Sequence, residues 1–188
     1  MKSFNSARGF SMIEVLVSLL IIAIGVLGAV ALQTRAVQSG MESYQRTQAL
    51  ILVEDMVARM KNNKKLVSTC YAAIGRDTTG YVGSGVSSAP TGCNSLADDD
   101  LEAWHDLLLG AAETMGDDDQ AVGGILNARG CIDPLESNGE YRVSVAWQGL
   151  SKISSADAAA KNPCAEGSYE DEDLRRVVGV VVRITDLR

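Results

Sequence analysis

Gly9-Phe10-Ser11-Met12-Ile13-Glu14 leads into Val15-Leu16-Val17-Ser18-Leu19-Leu20-Ile21-Ile22-Ala23-Ile24, and how this stretch is read decides the fold. From Val15 to Leu32 no residue is charged. That run of roughly eighteen residues, about 27 Å as a helix, just matches the hydrocarbon core of a bilayer. Glu14 stands at its rim, where an ionisable group costs a few kcal/mol unless it is paired. A partner for Glu14 is therefore expected, and processing can create one. Lys2 and Arg8 are the only charges in the short leader, the distribution of a cytoplasmic, positive-inside N-terminus. Cleavage between Gly9 and Phe10 would place a new ammonium on Phe10. On a helix Phe10 and Glu14 lie four apart on one face, so the two charges can pair within one chain or between neighbours in a bundle. Glu14 then acts as an assembly register.

Two simpler readings use the same residues. Ser11 and Glu14 have the S-x-x-E spacing of a capping box, a duty compatible with pairing. Alternatively, Lys2 and Arg8, the apolar core and Ala29-Val30-Ala31 form a secretory signal peptide that releases a soluble periplasmic binding or adhesion domain after Ala31. Glu14 between the basic and apolar parts counts against that second reading.

The short basic leader, the Gly-Phe junction, a Glu at the fifth residue after it and the unbroken apolar helix together resemble the type IV prepilin family. Within it, the run from Gly9 to Leu20, continuing Ile24-Gly25-Val26-Leu27-Gly28, is similar to the minor pilins of the type IV pilus modification (PilV) family. So is the strand end Val145-Ala146-Trp147-Gln148-Gly149. Major pilins usually carry a Pro well inside the apolar helix; here Ala31 stands at that position and the first Pro is Pro90.

The resemblance implies a structural and priming subunit that helps initiate pilus assembly and forms part of the tip, supporting pilus-dependent motility and adhesion. It implies a prepilin peptidase that cuts before Phe10 and methylates its amine. It also implies other minor and major pilins as partners through the helix, and a tip adhesin beyond them. The chain would sit in the bacterial inner membrane with its head in the periplasm, then on the cell surface once assembled. A minor pseudopilin of type II secretion shares this N-terminal logic.

Composition agrees with protein partners. Among 188 residues, 17 are basic and 24 acidic, a formal charge of −7, which disfavours nucleic acid. Cys70, Cys93, Cys131 and Cys164 all follow the apolar segment and form no C-x-x-C pair, the pattern of two disulfides in an oxidising compartment. Of three connectivities, Cys70–Cys93 with Cys131–Cys164 is favoured, because each pair would pin an excursion rich in small residues.

The domain organisation expected is a cleaved leader over 1–9, one long helix over 10–62 with 15–32 in the membrane or filament core, and a globular head over 63–188. Val53, Met56, Val57 and Met60 recur at helical spacing, with Val37, Met41 and Tyr44 marking an earlier part of the stripe. Residues 80–93 read as a surface loop. Asp98-Asp99-Asp100 precede Leu101, Trp104, Leu107 and Leu108, an amphipathic helix with acidic residues at its positive end, stopped by Gly110 or Gly116. Tyr141, Val143, Val145 and Trp147 alternate with polar or small residues as a strand with one core face. Residues 124–132 before the Asn138-Gly139 turn and residues 177–184 complete an antiparallel sheet. The order is α+β, a type IV pilin-like long helix packed on a small antiparallel sheet.

No chemistry is legible. His105 is the only histidine and sits on an amphipathic helix face, a structural position; no G-x-S-x-G, P-loop or H-E-x-x-H occurs. Asp117 to Asp119 lack the D-x-D-x-D-G loop of a calcium site. No enzyme activity, cofactor or metal is expected.

Overall fold

The computed structural model describes residues 10–76, 80–93, 96–110, 114–115, 120–121, 124–135, 139–153 and 162–185. The leader, Asp117 to Asp119 and Asn138 lie outside the described residues.

Helix α1 runs unbroken from Met12 to Asn62, 51 residues, or about 76 Å at 1.5 Å per residue. Gly25, Gly28 and Gly40 sit inside it, and a Cβ added at any of them would meet open space beyond the helix's own backbone. The chain divides into two compact units, residues 1–41 and 42–188, and the second takes in residues 42–62 of α1. The buried stripe on α1 is Gln45, Ala49, Val53, Met56, Val57 and Met60. Val37, Met41 and Tyr44 do not extend it: all three are exposed. Tyr44 is one position, about 100°, off the buried face.

In the globular unit α1 shares one core with helix α2 (Leu96–Leu109) and one face of a sheet. The four-stranded antiparallel sheet has the order β1 (Val82–Gly83), β4 (Arg129–Pro134), β5 (Glu140–Gln148), β6 (Arg175–Arg183). A separate two-stranded ribbon pairs β2 (Thr114–Met115) with β3 (Gln120–Ala121). Tyr141, Val143, Val145 and Trp147 of β5 face the core as their alternation predicts. Leu101, Trp104 and Leu108 of α2 meet them, while Leu107 is half-buried. Trp104 also donates its indole N–H to the Leu52 carbonyl of α1 at 2.9 Å, so burial of the ring leaves no orphan donor. Gly110, at φ 95°, ends α2 in the left-handed conformation that favours glycine.

The three acidic residues opening α2 suit its positive end, and two of them also have specific bonds. Asp98 accepts from the backbone N–H groups of Gly92 and Cys93, both at 3.3 Å. Asp100 accepts from Arg59 and Asn63, each at 3.0 Å, and from the Tyr71 hydroxyl. One carboxylate thus joins the end of α1, the 3-10 turn at residues 71–76 and the start of α2. Burial and the Asp100 carboxylate raise the Tyr71 hydroxyl pKa.

Three expectations shift. The strand expected at 124–132 begins only at Arg129, because Ile125 to Ala128 turn first, with Asn127 at φ 51°. Gly130 in that strand is dictated by packing: a Cβ there would stand 2.4 Å from the Trp104 ring. The loop at 80–93 is not wholly surface, since β1 pairs Val82 with Gly130 and buries Val82 completely. The second face of β5 is also covered. Ser144 and Ala146 are fully buried, and Ala146 packs with Cys131, Cys164, Ala165 and Tyr169 in a second small core.

Disulfides join Cys70 to Cys93 and Cys131 to Cys164. The second core also holds two buried arginines. Arg129 stacks between the rings of Tyr81 and Tyr169, 5.1 and 4.3 Å from their centroids, and donates to the Ser84 carbonyl at 2.9 Å. Arg175 donates to Glu172 at 2.7 Å and to the carbonyls of Asn162 and Cys164 at 3.0 and 3.2 Å. Desolvation, partly offset by Arg129, pushes the Tyr169 hydroxyl up to about 12.

At the start of the globular unit, Glu42 accepts from Ser151 Oγ at 2.7 Å and lies 3.4 Å from Arg176. The Ser151 hydroxyl first, then the Arg176 guanidinium, hold its carboxyl below the ordinary value of 4.5. A depressed carboxylate contributes stability above its unfolded pKa and loses it as pH falls through the folded one. The Glu42 side chain is 32% exposed, so Glu42→Gln should cost about 0.2–1 kcal/mol at pH 7. Thermal melts of the two proteins should converge once pH has fallen through the lowered Glu42 pKa, below 4.5; a gap that persists in acid would show that the charge is not its origin.

Candidate assembly site

The described part of the N-terminal unit is the first stretch of α1 with Phe10 and Ser11 before it, and its geometry follows from the helix start. Ser11 precedes the first helical residue, and its carbonyl accepts from the backbone N–H groups of Glu14 and Val15 at 3.0 and 3.4 Å. The capping box that Ser11 and Glu14 could close is not formed: among the described residues the Glu14 carboxylate makes no hydrogen bond or ion pair. Ser18 donates its hydroxyl to the Glu14 carbonyl at 2.7 Å, an i−4 bond that satisfies a polar side chain inside an apolar helix.

Helical spacing then sets the site. Phe10, Glu14, Val15, Ser18 and Leu19 line one shallow groove along the helix. Phe10 and Glu14 are therefore brought together on a face, as their separation of four predicts. Gly9, the other residue of the junction, lies outside the described residues.

From Phe10 to Met41 every residue is exposed, including Ile13, Leu16, Leu20, Ile24 and Leu27. Apolar side chains in such a row lose stabilisation of about 25 cal/mol for each Å² left in water, so this helix needs a lipid or protein surround. By length and composition α1 qualifies as a membrane-crossing helix.

The other residues considered for chemistry have structural partners. His105 is buried, and its Nδ1 accepts from the Gly83 backbone N–H at 3.0 Å, which anchors β1 to α2. Among the described residues no group of acidic, His or Cys side chains is placed to hold a metal. The Arg129 and Arg175 contacts had no signal in the sequence, since isolated arginines 46 positions apart do not reveal which carbonyls they reach.

Two family models match the chain in succession. The prokaryotic N-terminal methylation motif matches residues 4–30, which include Gly9, Phe10 and Glu14. A model described as type IV pilin Tt1218 (Tt1218-like) matches residues 31–96, the rest of α1 and the chain into the start of α2. No curated protein and no solved structure was found to match. The methylation motif and the apolar helix point to membrane anchoring before pilus assembly, and the pilin family is structural, not enzymatic. With a long apolar helix leading into a small antiparallel sheet and these two matches abutting along residues 4–96, the chain has the type IV pilin fold and carries the features of a pilin subunit.

Proposed function

We propose that this chain is a minor pilin, most like the type IV pilus modification family, that primes pilus assembly and sits in the tip complex. The observation that carries the proposal is Glu14: an exposed carboxylate at the rim of a membrane-length helix, on the face of Phe10 and without a partner among the described residues. A prepilin peptidase cleaves between Gly9 and Phe10 and methylates the new amine, which keeps its positive charge. Glu14 then receives the Phe10 ammonium of an incoming subunit, and the exposed apolar rows of neighbouring helices cover one another. The unbroken passage of α1 through Ala31 supports a minor over a major pilin, because a proline inside a helix removes a backbone bond and kinks it. The head faces the periplasm, the compartment in which its two disulfides form.

Intact mass and N-terminal sequencing of protein recovered from membranes test the reading. A mature chain starting at N-methylated Phe10 is expected. A start at Leu32 would replace it with a secreted domain released by signal peptidase.

Gly9→Val should leave the leader attached, because the peptidase must approach a backbone without a side chain at the cleavage position. A gel shift and the intact mass report this directly. Normal processing of the variant would show that Gly9 is not what the peptidase reads.

A further inference from the structure

We propose that the exposed face of α1 from Thr34 to Ile51 is a coiled-coil seam for a second copy of this chain, so that two membrane-anchored copies pair in parallel and in register. This goes beyond the pilus role proposed above and requires only that α1 is anchored in a membrane. Val37, Met41, Tyr44, Gln48 and Ile51 follow one another by four, three, four and three residues, and the same alternation runs back through Thr34 and Val30 to Leu20. A repeat of about 3.5 residues, mostly apolar and sustained over roughly four heptads, is the pattern of a helix that winds on another helix. The buried stripe of α1 keeps a different rhythm: Gln45, Ala49, Val53, Met56 and Met60 are spaced four, four, three and four, near the 3.6 of a helix lying on a globular core.

The two stripes use different sides of α1. At about 100° per residue, Tyr44 stands about 180° and Ile51 about 160° from Val53. Val37, Met41, Tyr44 and Ile51 are all exposed. One face of α1 thus packs on the head, and a second apolar face is left in water beyond the uncharged run that ends at Leu32. Covering that face is favoured by burial of apolar area.

Depth and polarity select the occupant. Two copies anchored by the same apolar run enter a bilayer in the same orientation and at the same depth, so identical positions of the stripe stand opposite one another. Gln48 donates one side-chain N–H to the Tyr44 hydroxyl at 3.0 Å. Its amide keeps a second N–H and a carbonyl oxygen, which the same amide of a second copy complements. A polar amide within a seam selects the alignment that pairs it, as a single buried Asn does in coiled coils. Thr34, the other polar member, is satisfied in its own helix by the Val30 carbonyl at 3.1 Å and needs nothing from a neighbour. A helix of another sequence would bring its polar residues to other layers and leave Gln48 unpaired. Charge does not oppose self-pairing: between residues 19 and 52 the charged residues are Arg35, Glu42 and Arg46, and none falls on the stripe or on the flanking positions that face a partner. Gly40, on one flank, adds no side chain, which lets two backbones approach closely. Confinement to one membrane raises the local concentration of the second copy.

The test uses the full-length protein in its own membranes. A photoreactive benzoyl-phenylalanine at Ile51 should give an adduct of two copies joined helix to helix, identified by peptide mass. The same probe at Arg46, exposed on the opposite side of α1, should give no such adduct. Adducts only with other proteins, equal self-adducts from both positions, or no adduct overturn the inference. Tyr44→Glu sets like charges opposite each other in the paired register and should lower the Ile51 self-adduct roughly tenfold or more. Tyr44 is exposed, so the purified variant should melt like the parent. Copies carrying Tyr44→Glu and Tyr44→Lys, expressed together, should restore the adduct. An unchanged yield in Tyr44→Glu, or no recovery with the Glu and Lys copies together, overturns the in-register seam. Pili play no part in these readouts: loss of piliation in Glu14→Ala leaves the seam standing, and failure of the seam leaves the pilus role standing.

Discussion

Glu14→Gln is expected to abolish pilus assembly nearly as completely as Glu14→Ala, while both variants are still inserted and cleaved. Neither change shortens the apolar run from Val15 to Leu32, so membrane entry is unaffected. Two physical roles make different demands on this position. A capping residue contributes about 1 kcal/mol or less, and Gln completes a capping box as well as Glu does. The box is not closed here; the carboxylate is exposed, and the first-turn N–H groups reach the Ser11 carbonyl instead. A charge pair in a lipid-like surround behaves otherwise, since removing the anion leaves the partner ammonium unpaired at a cost of a few kcal/mol. Asp, with a shorter reach across the same groove, should rescue in part. The measurement is complementation of a strain lacking the protein with Ala, Gln and Asp variants, counting surface pili or motility. Full function of the Gln variant would mean that assembly reads something other than negative charge.

The second large effect concerns the head. Removing the Cys131–Cys164 bridge, which spans 33 residues, should cost about 4 kcal/mol by loop-closure entropy. Cys70–Cys93, spanning 23, should cost about 3 kcal/mol on the same basis. Against a typical domain stability of about 5–15 kcal/mol, losing both leaves little or nothing. The two single-bridge variants should differ in character. Cys131 and Cys164 hold the second small core against Ala146 and Tyr169, but Asn162 still bonds Ser144 at 2.8 Å and Arg175 still holds the Cys164 carbonyl. That loop should stay docked at moderate temperature while the melting midpoint falls by roughly 10–15 °C. Non-reducing peptide mapping with thermal denaturation checks both statements. Four alkylatable thiols in the native protein, or unchanged melting of the Cys→Ser variants, would sink them.

The groove shared by Phe10 and Glu14 was legible in the sequence because its geometry is local. Charge, a Gly-Phe junction and an apolar run are one-dimensional properties, and helix periodicity alone places Phe10 and Glu14 on one face. The same holds for the length of α1, for Trp104 and Leu108 on the core side of α2, and for the alternation of β5, since each depends on spacing within a single element. The extension of the α1 stripe to Val37 and Met41 shows where this stops. Periodicity marks a face as apolar, but a buried apolar face and a face that awaits a neighbour have the same pattern.

Tertiary structure decided what depends on residues far apart in the chain. β1 exists because Val82 finds the free edge of β4; two residues have no strand pattern of their own. Gly130 is set by the Trp104 ring that crosses it, and Asp100 by the Arg59, Asn63 and Tyr71 groups that converge on it. Alternation assigns one core face to β5 and gives the other, with Ser144 and Ala146, no neighbour. That other face is covered because the Cys131–Cys164 bridge brings a distant loop over it. Local propensity is written residue by residue, whereas these contacts exist only after loops have closed. The sequence by itself therefore determined the helix, its charge at the membrane rim and the order of elements, and folding alone chose the partners that bury the head.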